Sequence, residues 1–162
     1  MTETENTPVQ TEGQRAGFAA IIGAPNAGKS TLVNRLTGSK VSIVTQKVQT
    51  TRFPVRGIAM HQDAQIVLVD TPGVFNPRRR LDRAMVASAW AGAEDADVVV
   101  HLVDAQAHLG AESREGTPAD RKSAEDTETI IKNLNKMGQK VILALNKIDG
   151  MRRDTLLALS HA

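Results

Sequence analysis

The chain has 162 residues, no cysteine, and a formal net charge of +2 from 20 basic and 18 acidic side chains. That length suits one domain around one core, and the lack of cysteine excludes disulfides and thiolate metal sites and suits a reducing cytosol. So small a net charge gives no argument for a nucleic-acid partner. In chain order, residues 1–15 open with MTETENTPVQTEGQ, which lacks the basic start and apolar run of a signal peptide and reads as a disordered tail. From Ala16 short apolar runs alternate with helical patterns, which predicts an α/β domain over residues 16–162 with a mostly parallel sheet. Strands are predicted at Phe18–Ile22, Val55–Met60, Gln65–Val69, Val98–Val103 and Val141–Leu145, all apolar enough to be buried on both faces. Helices are predicted at Lys29–Leu36, Leu81–Trp90 and Ser123–Met137, with another beginning near Arg152. His108–Arg121, carrying Gly110, Gly116 and Pro118 among charges, reads as a long polar loop. No apolar run approaches the roughly 20 residues of a membrane helix, so no transmembrane segment is expected.

The stretch Gly23-Ala24-Pro25-Asn26-Ala27-Gly28-Lys29-Ser30 lies between the first strand and the first helix and matches the phosphate-loop pattern at every fixed position. Glycines at its ends let the backbone curl so that N–H groups converge on phosphate oxygens, and the helix start, with Thr31, adds its partial positive charge. Lys29 supplies a full charge to the β- and γ-phosphates, and the Ser30 hydroxyl suits Mg²⁺, a hard cation that bridges them.

Asp70-Thr71-Pro72-Gly73 follows a strand that can lie beside the first. It therefore brings the Asp70 carboxylate to the sheet's C-terminal edge, within reach of Mg²⁺ through water. The Gly73 N–H is placed to sense a γ-phosphate, because glycine permits the close approach. Between these motifs, Gln49-Thr50-Thr51-Arg52 offers a threonine that can close over Mg²⁺ in the triphosphate state. Thr51 is favoured and Thr50 is its rival; spacing does not choose between them.

Asn146-Lys147-Ile148-Asp149 follows the last predicted strand. The Asp149 carboxylate can accept from both N1–H and the 2-amino group of guanine, donors that adenine does not present, so GTP is favoured over ATP. The Lys147 stem can cover the base, and Asn146 can tie this loop to the phosphate loop.

From Phe18 to Asp149 the sequence resembles the Era-like GTPases, through GAPNAGKSTLVNRLTG, SKVSIVTQKVQTTR, VDTPGVFNPRRRLDRAMV and LALNKID. Sister families carry an acidic residue after the switch Thr-Arg, whereas Phe53 follows Arg52 here. The resemblance implies a Ras-like P-loop GTPase fold in a monomer, cytoplasmic with peripheral membrane association. It implies GTP hydrolysis with Mg²⁺, binding of 16S ribosomal RNA and a role in small ribosomal subunit assembly. It also implies a last strand with a Ser-Ala base loop, a last helix and an RNA-binding KH domain; none is found before Ala162, so the domain is expected to be C-terminally truncated. Ras-type enzymes orient the attacking water with a glutamine directly after Gly73, where this chain has Val74. The resemblance assigns Asn26 to a potassium ion that supplies the missing positive charge, so Lys29, Thr51, Gly73 and Asn26 are the candidate catalytic group. Two other readings share these motifs: a truncated, non-catalytic guanine-nucleotide-binding module, and a related GTPase with another client. Arg78, Arg79, Arg80 and Arg83 read as a solvated face, Trp90 as helix packing and His101 as a satisfied core residue.

Overall fold

The computed structural model describes residue 13 and residues 15–44, 51–149 and 151–161. In chain order its elements are β1 (Arg15–Ile22), α1 (Lys29–Thr37), β2 (Val55–His61), β3 (Ala64–Asp70), α2 (Arg80–Glu94), β4 (Val98–Asp104), α3 (Ala105–Glu112), α4 (Pro118–Met137), β5 (Val141–Asn146) and α5 (Arg153–His161). They form one five-stranded sheet of order β2-β3-β1-β4-β5. All neighbouring pairs are parallel except β2 with β3. The predicted α/β class and mostly parallel sheet are therefore observed.

Alternation along each strand divides the core into two layers. Ala20 and Ile22 of β1, Val69 of β3 and Val99 of β4 meet Ala89 and Ala93 of α2 and Ile130 and Leu134 of α4, while Trp90 is half-buried against the same layer. On the other face, Ala19 and Ile21 pack with Leu68, Leu102 and Val33 of α1. The four-residue spacing of Met85, Ala89 and Ala93 gives α2 one buried stripe of small and flexible side chains, so the helix lies close to the sheet. Register places Ile21 beside Asp70 and Asp104 beside Asn146. The motifs that follow β1, β3 and β5 thus emerge at one edge of the sheet, where ligands of such folds bind.

The predicted loop at His108–Arg121 is corrected. Most of it is helical: α3 runs to Glu112 and α4 starts at Pro118, leaving a short connection. Asp104 caps α3 by accepting from the Ala107 N–H at 3.0 Å. Thr117 and Asp120 cap α4 reciprocally, with proline at the first helical turn, where its missing N–H costs nothing. Gly110 does not break α3; a Cβ there would stand 3.1 Å from the Asp120 carboxylate, so the glycine allows α3 and α4 to approach. A second correction concerns the strands expected to be buried on both faces. Val141, Ile142 and Leu143 of β5 and Ile58 and Met60 of β2 are exposed, because these strands form the two sheet edges. Among the described residues no helix is long and apolar enough to cross a membrane.

Candidate nucleotide site

Gly23, the first residue after β1, sits so close to β4 that a Cβ would collide with the Leu102 carbonyl oxygen. The loop then curls. Asn26 (φ 62°) and Gly28 (φ 100°) both take the left-handed region, which asparagine tolerates better than most residues and glycine adopts freely. α1 begins immediately after Gly28 with no side-chain cap, so the N–H groups of its first turn are left for another acceptor. The Lys29 ammonium is drawn back into the loop and donates to the carbonyls of Gly23 (3.1 Å) and Ala24 (2.8 Å). Burial lowers its pKa to about 8, with the Asp70 carboxylate opposing the fall. A nearly desolvated ammonium beside an uncapped helix start is a site for a multiply charged anion.

Ser30, Thr51 and Asp70 come together beside it. Ser30 Oγ donates to Asp70 Oδ2 at 2.7 Å, Thr51 Oγ1 lies 3.2 Å from the same oxygen, and the two hydroxyls are 3.1 Å apart. Asp70 is 0% exposed. Its Oδ1 has no partner among the described residues. Such an orphan is uncommon, because buried carboxylate oxygens are nearly always hydrogen-bonded. Two hydroxyls and a carboxylate with a free oxygen form an all-oxygen donor set, which fits Mg²⁺. No group of three or more His, Cys, Asp or Glu side chains suited to a metal exists among the described residues, so the hydroxyls are needed for this assembly. Thr50 lies outside the described residues.

The Asp70–Gly73 segment is fastened to the sheet. Thr71 Oγ1 donates to the Ile21 carbonyl at 2.7 Å. Thr71 and Pro72 are fully buried, which leaves only their backbone to face a ligand. Gly73 abuts the phosphate loop: a Cβ would be 2.9 Å from Pro25 Cα. Val74 donates its N–H to the Gly23 carbonyl at 3.1 Å, and its side chain enters the α2–α4 core layer. A side chain at that position points away from the site, consistent with the absence of a water-orienting glutamine.

At the far side, Asn146 Nδ2 donates to the Ala27 carbonyl at 2.8 Å, joining loops 119 residues apart. Gly28 has room for that amide only because it lacks a Cβ. Lys147 (φ 57°) extends its ammonium to Asp104 Oδ2 at 2.6 Å, and Asp149 is exposed at the rim. The predicted residues from Gly23 to Thr31, from Asp70 to Gly73, and Thr51, Asn146 and Lys147 therefore surround one region, with Asn26 exposed at the apex of its loop.

Other residues contribute that sequence reading did not select. Asn34 accepts the N–H groups of Val41 (2.9 Å) and Ser42 (2.8 Å) and donates to the Ser42 carbonyl (2.8 Å), pinning the start of the segment that leads to Thr51. The available signal was an amide in mid-helix, a position asparagine disfavours unless its side chain has backbone partners. Asp126 of α4 is nearly buried and pairs with Lys122 at 3.5 Å, while burial raises its pKa. His101 is buried as expected but not satisfied, since its Nε2 has no partner among the described residues. Burial, and then the Lys29 charge, lower its pKa to about 4, so it is neutral near pH 7.

Comparison with known proteins agrees with this geometry. Residues 18–147 match the family model described as 50S ribosome-binding GTPase. The chain belongs to this GTPase family. Within the family its likeness is to Era. The GTPase Era of Caulobacter vibrioides is 69% identical over 150 residues, which are 93% of this chain and 48% of that protein. Era in complex with MgGDPNP and nucleotides 1506–1542 of 16S ribosomal RNA has a TM-score of 0.76 at 36% identity, covering 91% of this chain and 46% of that one. A point variant of Aquifex aeolicus Era bound to GDP.AlF4- gives 0.74 at 37% identity, with the same coverage of 91% and 46%. The chain thus spans about half the length of these relatives, and the half it spans has the Era-type P-loop GTPase fold.

Proposed function

We propose that this chain binds GTP and GDP with Mg²⁺ and hydrolyses GTP, as the switch domain of an Era-type protein. The observation that carries the reading is the Ser30–Thr51–Asp70 triangle beside the buried Lys29 ammonium. In this reading the backbone of Gly23, Ala24, Pro25, Asn26, Ala27, Gly28 and Thr31 and the Lys29 ammonium hold the phosphates. Ser30, Thr51 and Asp70 would hold Mg²⁺, which when bound would supply positive charge against the phosphate oxygens. Thr71, Pro72 and Gly73 form the segment that senses the γ-phosphate, and Asn146, Lys147 and Asp149 select guanine. A water attacks the γ-phosphorus, the bond to the β–γ bridging oxygen breaks, and GDP leaves with the electron pair. Val74 is buried and orients no water; the resemblance to Era-like GTPases implies that Asn26 would help hold a potassium ion, which would supply positive charge beside the phosphates. The complex of the structural neighbour with nucleotides of 16S ribosomal RNA supports that RNA as the client, and the family resemblance implies the small ribosomal subunit as the wider partner. A monomer in the cytoplasm, peripheral at the inner membrane face, completes the reading.

The test is single-turnover GTP hydrolysis with Mg²⁺ in potassium and in sodium buffer. Phosphate release that is faster in potassium, and lost in Lys29→Ala, supports hydrolysis and its cation. Equal rates in both salts overturn the potassium assignment. Tight GTP binding without phosphate release leaves a guanine-nucleotide module that is not an enzyme.

A further inference from the structure

We infer that Asp104 is a positioning residue for guanine recognition, acting through Lys147; the inference rests on the guanine-nucleotide reading above. Asp104 ends β4, directly beside Asn146 in the sheet register. Its two carboxylate oxygens have separate duties. Oδ1 accepts the Ala107 N–H at 3.0 Å and caps α3, while Oδ2 receives the Lys147 ammonium at 2.6 Å. The carboxylate is thus oriented by the helix start before it meets the lysine, and it is nearly buried, with 10% of its side chain exposed.

Lys147 requires such an anchor. Its backbone is left-handed at φ 57°, a region that a long side chain seldom occupies without external support. Asn146 on one side is tied to the phosphate loop through the Ala27 carbonyl, and Lys147 is tied to α3 through Asp104. Two successive residues of the base loop are therefore tethered in different directions, fixing the backbone that presents Asp149. With its ammonium fixed, the Lys147 stem is held along one path, ready to cover a base. The start of α3 is thereby joined to the base loop through the two oxygens of Asp104.

The experiment compares GDP affinity and dissociation rate in the wild type, Asp104→Asn, Asp104→Glu, Lys147→Met and the Asp104→Asn/Lys147→Met double variant. Asparagine is as good a helix cap as aspartate, so Asp104→Asn removes the charge facing Lys147 and keeps the Ala107 bond. Asp104→Asn should weaken GDP about tenfold, the size of one lost charge-assisted contact, and its Tm should stay within about 2 °C of wild type. The double variant should bind no more weakly than Lys147→Met alone, because the two act as one unit. Asp104→Glu should recover part of the loss. Unchanged affinity in Asp104→Asn, or losses that add in the double variant, overturns the inference even where Tm falls. If the wild type binds guanine nucleotide, Asp149→Asn weakens it and Asp104→Asn does not, this inference alone is lost. A folded wild type that binds none removes the reading beneath it as well.

Discussion

Gly73 and Pro25 stand so close that a Cβ on the glycine would lie 2.9 Å from Pro25 Cα and 3.0 Å from the proline ring and nitrogen. This contact joins the segment after β3 to the phosphate loop, and two backbones meet there rather than two flexible side chains. Gly73 is not among the residues with positive φ, so an alanine would be limited by space and not by backbone conformation. Gly73→Ala should therefore push the segment away from the γ-phosphate position and leave the β-phosphate site intact. The expected outcome is a GTP affinity reduced by about tenfold or more relative to GDP, a loss near 1.4 kcal/mol, with Tm nearly unchanged. Calorimetric titration with both nucleotides checks it; an unaltered GTP-to-GDP ratio counts against the sensing role.

The hydroxyls of Ser30 and Thr51 share the Asp70 carboxylate but reach it from different elements, one from α1 and one from the segment before β2. Removing Ser30 should weaken Mg²⁺-dependent binding of GDP and GTP alike. If Thr51 acts as the proposed switch residue, its removal should affect GTP far more. Chelation of Mg²⁺ should reproduce the Ser30→Ala result in the wild type. Magnesium titrations of Ser30→Ala and Thr51→Val, each loaded with GDP or GTP, measure this; equal sensitivity to both nucleotides in Thr51→Val would remove it from the switch.

Lys29 gives a pH dependence whose sign is fixed. Burial holds its pKa near 8 in the free protein. A phosphate beside it favours the ammonium, so the bound form has the higher pKa. Binding is therefore insensitive to this group below about pH 8 and takes up a proton above it. Nucleotide affinity should fall as pH rises from 8 toward the bound-state pKa, by up to about tenfold per unit. Calorimetry in two buffers of different ionisation enthalpy at pH 8.5 should reveal the uptake, and pH-independent binding with no uptake would contradict it.

Val74 is only 2% exposed and packs with Ile22, Val99 and Ile130. Val74→Gln would bury an amide where the site expects a methyl group. It should cost roughly 1–3 kcal/mol of stability and should not raise turnover, because the side chain points into the core. Denaturant unfolding with a parallel GTPase assay checks both parts; a stable variant with faster hydrolysis would mean that this segment rearranges.

The five strands and the loops that follow them were legible because short apolar runs such as Val98–Val103 alternate with helical patterns, and because the phosphate loop needs glycine, lysine and serine at fixed spacing; the exposure of Val141, Ile142 and Leu143 was not, because it follows from β5 lying at the sheet edge. α3 was not legible. Only Ala105 and Ala107 of its residues are buried, so it lacks an apolar stripe, and its support comes from the Asp104 cap and from contact with α4. Gly110 and Pro118 read as loop signals for the same local reason, although one permits helix contact and the other starts a helix. The position of Thr51 beside Asp70 depends on chain closure over 19 residues, which spacing alone does not encode. The partner of Lys147 was equally hidden, since Asp104 lies 43 residues away and meets it only through the pairing of β4 with β5.

The central claim is guanine specificity at a Mg²⁺-dependent phosphate site. Calorimetric titration of the chain with GDP, GTP and ATP in Mg²⁺ and potassium, alongside Asp149→Asn, tests it most directly. The account predicts saturable binding of GDP and GTP, no heat with ATP, and a loss of guanine affinity in Asp149→Asn from a carboxylate that can no longer accept both donors. Equal binding of ATP, or guanine binding indifferent to Asp149, would contradict it.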